Sequence, residues 1–357
     1  MRVGLVFGGR SVEHVVSVRS ARTVLEGLRA AGHEVVPLAV DENGAWTPPD
    51  VGARVFAGTD KAVPVSRENA RASLRHLSDA QVECVFPIVH GTYGEDGTLQ
   101  GLFEMLDLPY VGCGVLASSV AMDKLQSKRL FAAAGLPVVP YFAVTRAAFA
   151  SSPEAALTGA DAFGATSFVK PAVGGSSVGC QKVKARADLA AAVRFALQFD
   201  DVVLVEKCVT AREIEVAVLG HAGALRASAI GEIVPGNDFY DYEDKYLKDD
   251  AKLLAPAPID DAAAAQIRAL GVRAMESIGG SGLARVDFFL AGTELYLNEI
   301  NTLPGFTSVS MYPRLWGLAG VPLPELVDTL VQIGVARHAS KQRLDESLRA
   351  FVDSVKS

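Results

Sequence analysis

Two pairs of polar residues near the carboxyl end stand two positions apart: Arg285 and Asp287 in "LARVDFFL", Glu299 and Asn301 in "ELYLNEIN". On a β-strand, residues i and i+2 share a face. If the two segments form a hairpin turning near Gly292-Thr293, position 285 comes opposite 301 and 287 opposite 299, so four side chains converge. Two carboxylates and a carboxamide make a hard-oxygen set suited to magnesium, which also takes oxygens from phosphate. The same residues would equally make a solvated strand face carrying an Arg–Asp pair. A slip of one residue would destroy the convergence, but it would also turn the apolar neighbours outward.

Other segments add weaker signals. In "FVKPAVGGSSVG", Lys170 closes a strand, and Gly174, Gly175, Ser176 and Ser177 can turn sharply and offer N–H groups to an anion. The lysine precedes the glycines and no Gly-Lys-Ser/Thr follows, so this is neither the Walker nor the dinucleotide pattern; an ordinary turn is the alternative. In "EKCVTAREIEVAVLG", Glu206 ends one strand and Glu213 begins the next. Such carboxylates can accept from ribose hydroxyls while backbone near Lys207 to Val209 meets a base edge; a polar turn is the alternative. His90 ends "VFPIVH" ahead of a Gly- and Asp-rich loop, where a satisfied loop histidine is the bland reading. Glu13 in "GGRSVEH" falls near the start of a helix, where the dipole favours negative charge, and simple capping is the alternative.

These residues need elements to position them. "RVGLVFGG" reads as a buried strand ending in a glycine turn, Ser17 to Ala30 as a helix, and "HEVVPLAV" and "VECVFPIVHG" as further strands. That rhythm predicts a mostly parallel sheet whose ligands gather at the carboxyl ends of the strands. A second unit begins near Met122, and a third near "REIEVAVLG", whose alternation suits an antiparallel sheet. The segment from Pro235 to Lys252 has no apolar period, which marks a functional or disordered loop. Leu344, Leu348, Phe351 and Val355 share one stripe and predict a terminal helix that docks.

Composition bounds the class. The chain has 357 residues, which at about 150 per domain predicts two or three domains, and is half apolar. Its 34 basic and 41 acidic residues leave −7, which argues against a polycation for nucleic acid or a membrane surface. Cys84, Cys113, Cys180 and Cys208 are scattered and predict buried free thiols rather than a zinc site or disulfides. No apolar run reaches the ~18 residues of a membrane span. With no leader pattern at the amino terminus, a soluble cytoplasmic protein is expected.

In their order, the segments "GGRSVEHVVS", "HGTYGEDGTLQG", "MDKLQSK", "FVKPAVGGSSVG", "REIEVAVLG", "FYDYEDKY", "ARVDFFL" and "NEINTLPGFTSVS" resemble the D-alanine–D-alanine ligases of the ATP-grasp superfamily. The resemblance runs from about residue 3 to 335. It implies an α/β ATP-grasp fold of three α/β domains with an N-terminal parallel, Rossmann-like sheet. The divisions would be 1–121, 122–209 and 210–340, with a lid at 235–252 and a C-terminal helix at 341–357. It also implies ATP, two Mg2+ or Mn2+ ions, a homodimer, and a place in peptidoglycan precursor synthesis. In such enzymes ATP and the first D-alanine's carboxylate form an acyl phosphate, which the second D-alanine's amine attacks.

Carried onto this chain, the resemblance makes Asp287, Glu299 and Asn301 the metal ligands. Lys124, Lys170 and Lys245 become phosphate contacts, and Glu206, Lys207, Val209 and Glu213 adenosine contacts. Ser177 and Asn298 join the nucleotide site. Arg285 would neutralise the acyl phosphate and oxyanion, helped by the N–H of Gly305. Glu13 would hold the first substrate's ammonium with Ser176 and Tyr246 as partners, His90 would lie beside that substrate, and Ser310 would hold the second substrate's carboxylate. Tyrosine at 246 favours an amine over a D-lactate nucleophile, while Val15 stands where many relatives carry a second glutamate. The alternatives are a D-alanine–D-lactate or D-alanine–D-serine ligase of the same fold, and a nucleotide-binding module that has lost catalysis. A dinucleotide oxidoreductase on the Gly8-Gly9 turn lacks the third glycine and the ribose carboxylate.

Overall fold

The computed structural model describes residues 1–58, 62–221, 223–236 and 252–356. Its first sheet is parallel, in the order β2 (Glu34–Val40), β1 (Arg2–Gly8), β3 (Cys84–Pro87). At the end of β1, Gly8 and Gly9 take φ of +92° and +96°, and a Cβ on Gly8 would lie 2.1 Å from the Val40 carbonyl oxygen. Only glycine makes that turn. It releases the chain into helix His14–Ala30, which starts three residues before the predicted Ser17 and buries Val18, Ala21, Val24, Leu25 and Leu28.

The second sheet is antiparallel: β4 (Tyr141–Thr145), β7 (Val202–Lys207), β5 (Ser167–Pro171), β6 (Gln181–Val183). Val169, Val203 and Val205 pack there against Leu189 and Val193 of helix Leu189–Ala196. The third sheet runs β10 (Lys252–Leu254), β9 (Arg226–Val234), β8 (Arg212–Gly220), β11 (Gly282–Ala291), β12 (Glu294–Asn301), all antiparallel. Along β11 the alternation is strict: Val286, Phe288 and Leu290 enter a core shared with Ile267, Leu270 and Met275 of helix Asp261–Ser277. Arg285, Asp287 and Phe289 therefore take the other face.

The final helix corrects one expectation. It is continuous from Leu323 to Lys356 and docks through Leu326, Val327, Leu330 and Val331. The predicted docking stripe does not dock: Leu344, Leu348, Phe351 and Val355 are each more than 60% exposed. The helix reaches the rim of the body at Arg337, which donates to the carbonyls of Gly112 and Tyr110, and at Lys341, which pairs with Glu104. An apolar stripe shows which face a helix would bury, not that the body extends far enough to cover it. No single helix among the described residues is long and apolar enough to cross a membrane.

Candidate active site

A cleft of about 810 Å³ opens where the three sheets meet, and every predicted site residue among the described ones lines it. Lys245, Tyr246 and most of the Pro235 to Lys252 segment lie outside the described residues. The volume suits a nucleotide-sized ligand.

The hairpin of β11 and β12 provides one wall. Arg285 faces Asn301 and Asp287 faces Glu299, the register read from the sequence. Arg285 donates through Nε and Nη2 to the two oxygens of Asp287, both at 2.8 Å, and Asn301 Nδ2 donates to Asp287 Oδ2 at 2.9 Å. Burial opposes the charge on Arg285, but Asp287 and Glu215 outweigh it and raise its pKa further. Glu215 is a component the sequence reading missed: it is buried, lies opposite Asp287 on β8, and pairs with Arg285 at 3.0 Å. Its signal was the two-residue spacing from Glu213, the same spacing that linked Arg285 to Asp287.

The ladder then breaks between Asp287 and Phe288, whose partner is Leu297, so Asn298 is an extra residue on β12. A bulge of this kind re-aims a side chain. Asn298 and Glu299, although consecutive, both line the cleft, and Asn298 Oδ1 accepts from Lys170 Nζ at 3.2 Å. Two carboxylates with carboxamides offer hard oxygens only, which fits magnesium held jointly with phosphate. Among the described residues no three His, Cys, Asp or Glu side chains form a closed cage for a metal. An open site completed by phosphate oxygens is the arrangement this donor set supports.

Another wall comes from the second sheet and the loop after β5. Lys170 Nζ lies 3.0 Å from Glu206 Oε1, and burial of Lys170 is more than offset by Glu206 and Glu299, which raise its pKa. Lys124, at the start of helix Lys124–Ala133, donates to the Gly174 carbonyl. Ser176 and Ser177 take φ of +52° and +59°, strained for residues with a Cβ. That conformation brings Ser176 Oγ to 2.6 Å from Glu13 Oε1. Glu13 stands at the N-cap of helix His14–Ala30 without capping it, so its carboxylate faces the cleft instead.

Near Glu13, His90 is fully occupied: Nδ1 meets the Leu303 carbonyl at 3.0 Å and Nε2 meets Ser20 Oγ at 2.9 Å. Burial lowers its pKa, only partly opposed by Glu13, so the ring is a neutral tie that holds the 303–306 loop. On that loop, a Cβ at Gly305 would come within 3.1 Å of Ser310 Oγ, which itself accepts from Thr307 N–H at 3.0 Å. Glu95, also missed, accepts from Gly91 N–H at 2.7 Å. Burial, then the charge of Glu13, pushes its pKa up to about 8.

The cysteines divide. None is in a disulfide, and Cys84 and Cys113 are buried, but Cys180 and Cys208 are half-buried and line the cleft, contrary to the expectation of four buried thiols.

Two family models match the chain: D-ala D-ala ligase N-terminus over residues 2–113 and D-ala D-ala ligase C-terminus over residues 130–332. The D-alanine–D-alanine ligase of Heliobacterium modesticaldum is 44% identical over 356 residues, covering 96% of each chain. D-alanine–D-alanine ligase A of Chromobacterium violaceum is 43% identical over 364 residues, covering 98% of each. Among solved structures, the D-alanine–D-alanine ligase from Coxiella burnetii superposes with a TM-score of 0.83 at 34% identity, covering 100% of this chain and 99% of that one. The VanG D-Ala:D-Ser ligase from Enterococcus faecalis superposes at 0.78 and 32% identity, covering 93% and 99%. With matches along nearly its whole length and this ATP-grasp architecture, the chain belongs to the D-alanine–D-alanine ligase family.

Proposed function

We propose that this protein is an ATP-dependent ligase that joins two D-alanine molecules into D-alanyl-D-alanine, releasing ADP and phosphate, for peptidoglycan precursor synthesis. The observation that carries this reading is the convergence of these groups on one cleft. The Arg285–Asp287–Glu299–Asn301 face and Lys170 line one cleft, which the hydrogen-bonded Glu13–Ser176 pair lines as well.

In this reading Lys124, Lys170 and Lys245 hold the phosphates, with Ser177 and Asn298 beside them. Glu206, Lys207, Val209 and Glu213 receive the adenosine. Glu13, supported by Ser176 and Tyr246, fixes the ammonium of the first D-alanine. Its carboxylate oxygen then takes the γ-phosphoryl group, and ADP leaves. Arg285 and the N–H of Gly305 stabilise charge on the acyl phosphate and on the carbonyl oxygen of the tetrahedral intermediate that follows. The free amine of the second D-alanine, held by Ser310 through its carboxylate, attacks the carbonyl carbon; the C–N bond forms as phosphate departs and the nitrogen loses a proton. Asp287, Glu299 and Asn301 would hold two Mg2+ or Mn2+ ions, which supply charge neutralisation between the phosphates. Lid 235–252 would exclude water from the acyl phosphate. A cytoplasmic homodimer acting on small molecules completes the proposal.

Phosphate release from ATP and magnesium, compared for D-alanine, D-lactate, D-serine and L-alanine as substrates, tests it. Release should follow D-alanine, with dipeptide as product. Release with D-serine or D-lactate but not with D-alanine alone would overturn the substrate assignment.

A further inference from the structure

Lys128 is one of the largest fully buried side chains in the protein. It projects from helix Lys124–Ala133 one turn beyond Lys124, does not line the cleft, and lies 2.9 Å from Glu206 Oε1. The same oxygen meets Lys170 Nζ at 3.0 Å, so one carboxylate sits between two ammonium groups. The Lys128 ammonium also lies 5.6 Å from the centre of the Tyr141 ring.

A buried ion pair is a poor stabilising device, because apolar residues of similar volume often serve as well or better. The charge count supplies another reason for the lysine. A lone Lys170–Glu206 pair would be neutral, and the carboxylate would hold the only ammonium facing the cleft from that strand. With a protonated Lys128 behind it, Glu206 has a second ammonium partner, and the cluster then carries one net positive charge on the Lys170 side. Lys170 then faces Asn298 and the field of Glu299, where phosphate would sit.

We propose that Lys128 is a positioning residue: by holding Glu206 it leaves the Lys170 ammonium available to the anionic phosphates of the nucleotide. The proposal rests on reading the cleft as the nucleotide site. It predicts that Lys128 affects recognition of phosphate and not of adenosine, although it touches neither.

The measurement is the inhibition of the full-length enzyme by ADP and by adenosine, each competing with ATP. In Lys128→Met, adenosine should inhibit within about twofold of wild type, while ADP should weaken on the order of tenfold, as befits loss of a charged contact. The preference for ADP over adenosine thus falls. In Lys128→Met/Glu206→Gln no carboxylate at 206 competes for Lys170, which keeps its Asn298 contact, so the preference should return to that of Glu206→Gln alone. Any direct contact of Glu206 with adenosine cancels in that ratio. The comparison of the double with the single Glu206→Gln variant stands even if Lys128→Met alone folds poorly. An unchanged preference in Lys128→Met, an equal loss for both inhibitors, or a double variant that stays below Glu206→Gln would each overturn the proposal. Lys170→Met separates the two layers. If that change leaves the preference intact, the phosphate assignment of Lys170 fails; if it lowers the preference and Lys128→Met does not, only the role of Lys128 fails.

Discussion

Glu299 and Asp287 face each other from adjacent strands, so the charge of either can be removed without disturbing the backbone that aims it. Glu299→Gln keeps the shape and loses one anionic ligand. Turnover should fall by at least about a hundredfold, since metal charge stabilisation is worth several kcal/mol. The thermal midpoint should stay within about 2 °C. Wild-type activity of the variant at limiting magnesium would remove Glu299 from the metal site. Glu95 offers a test by pH. Its native pKa of about 8 lies above the ordinary 4.5, so the folded protein keeps a proton that the unfolded chain releases. That contribution to stability is full below pH 4.5 and is lost as pH rises through about 8. Glu95→Gln keeps an oxygen for the Gly91 N–H and removes the titration. Its fall in thermal midpoint between pH 5 and pH 9 should be shallower than that of wild type by roughly a few degrees; parallel curves would refute it. The thiols give a third check. Burial pushes Cys84 and Cys113 up to about 12 and about 11, which leaves them unreactive, whereas Cys180 and Cys208 line the cleft. A thiol reagent should label Cys180 and Cys208 alone in the folded protein, and ATP should slow both; labelling of Cys84 or Cys113 in native protein would contradict the burial.

Elements explain which of these residues were legible. Hairpin register followed from period-two spacing at 285, 287, 299 and 301, because apolar neighbours on the other face had to enter the core. That rule would have turned Asn298 away from the cleft. The bulge that turns it in has no sequence signature of its own, and Asn298 entered the expected site only through resemblance. Glu95 and Lys128 were unread for a similar reason. Each sits within a quoted motif, yet the charge that acts on it lies on a distant element: Glu13, which repels the charge of Glu95, and Glu206, which pairs with Lys128. The parallel first sheet and antiparallel third were readable from rhythm and alternation, since both follow from which faces are buried. The bulge can be tested directly. Asn298→Ala removes the oxygen that Lys170 donates to and leaves the ladder unchanged. The KM for ATP should rise several-fold with kcat nearly constant; a fall in kcat with KM unchanged would place Asn298 in the chemical step instead.

At the scale of the whole molecule, the first and third sheets share one core, in which Val18 and Leu28 of the first helix join Leu219, Leu283, Tyr312 and Trp316. The final helix closes that core, and its contribution should change abruptly along its length. Val327 and Leu330 are fully buried, and a Cβ on Gly334 would lie 2.5 Å from the Tyr110 carbonyl oxygen. Arg337 follows, donating to backbone carbonyls with its guanidinium carbon 4.2 Å from the centre of the Tyr110 ring. Past Lys341 and Gln342 the residues are exposed on every side, including the apolar stripe. Exposed side chains contribute little to stability. A chain ending at Gln342 should therefore melt within about 2 °C of the full-length protein and keep its kcat/KM within about twofold. A chain ending at Gly334 should lose several degrees, because it removes the Arg337 contacts and the Lys341–Glu104 pair and frays the last docked turn. Thermal melts and phosphate-release kinetics on the two truncations decide this. A large loss already in the longer chain would mean that Leu344, Leu348, Phe351 and Val355 are covered in solution.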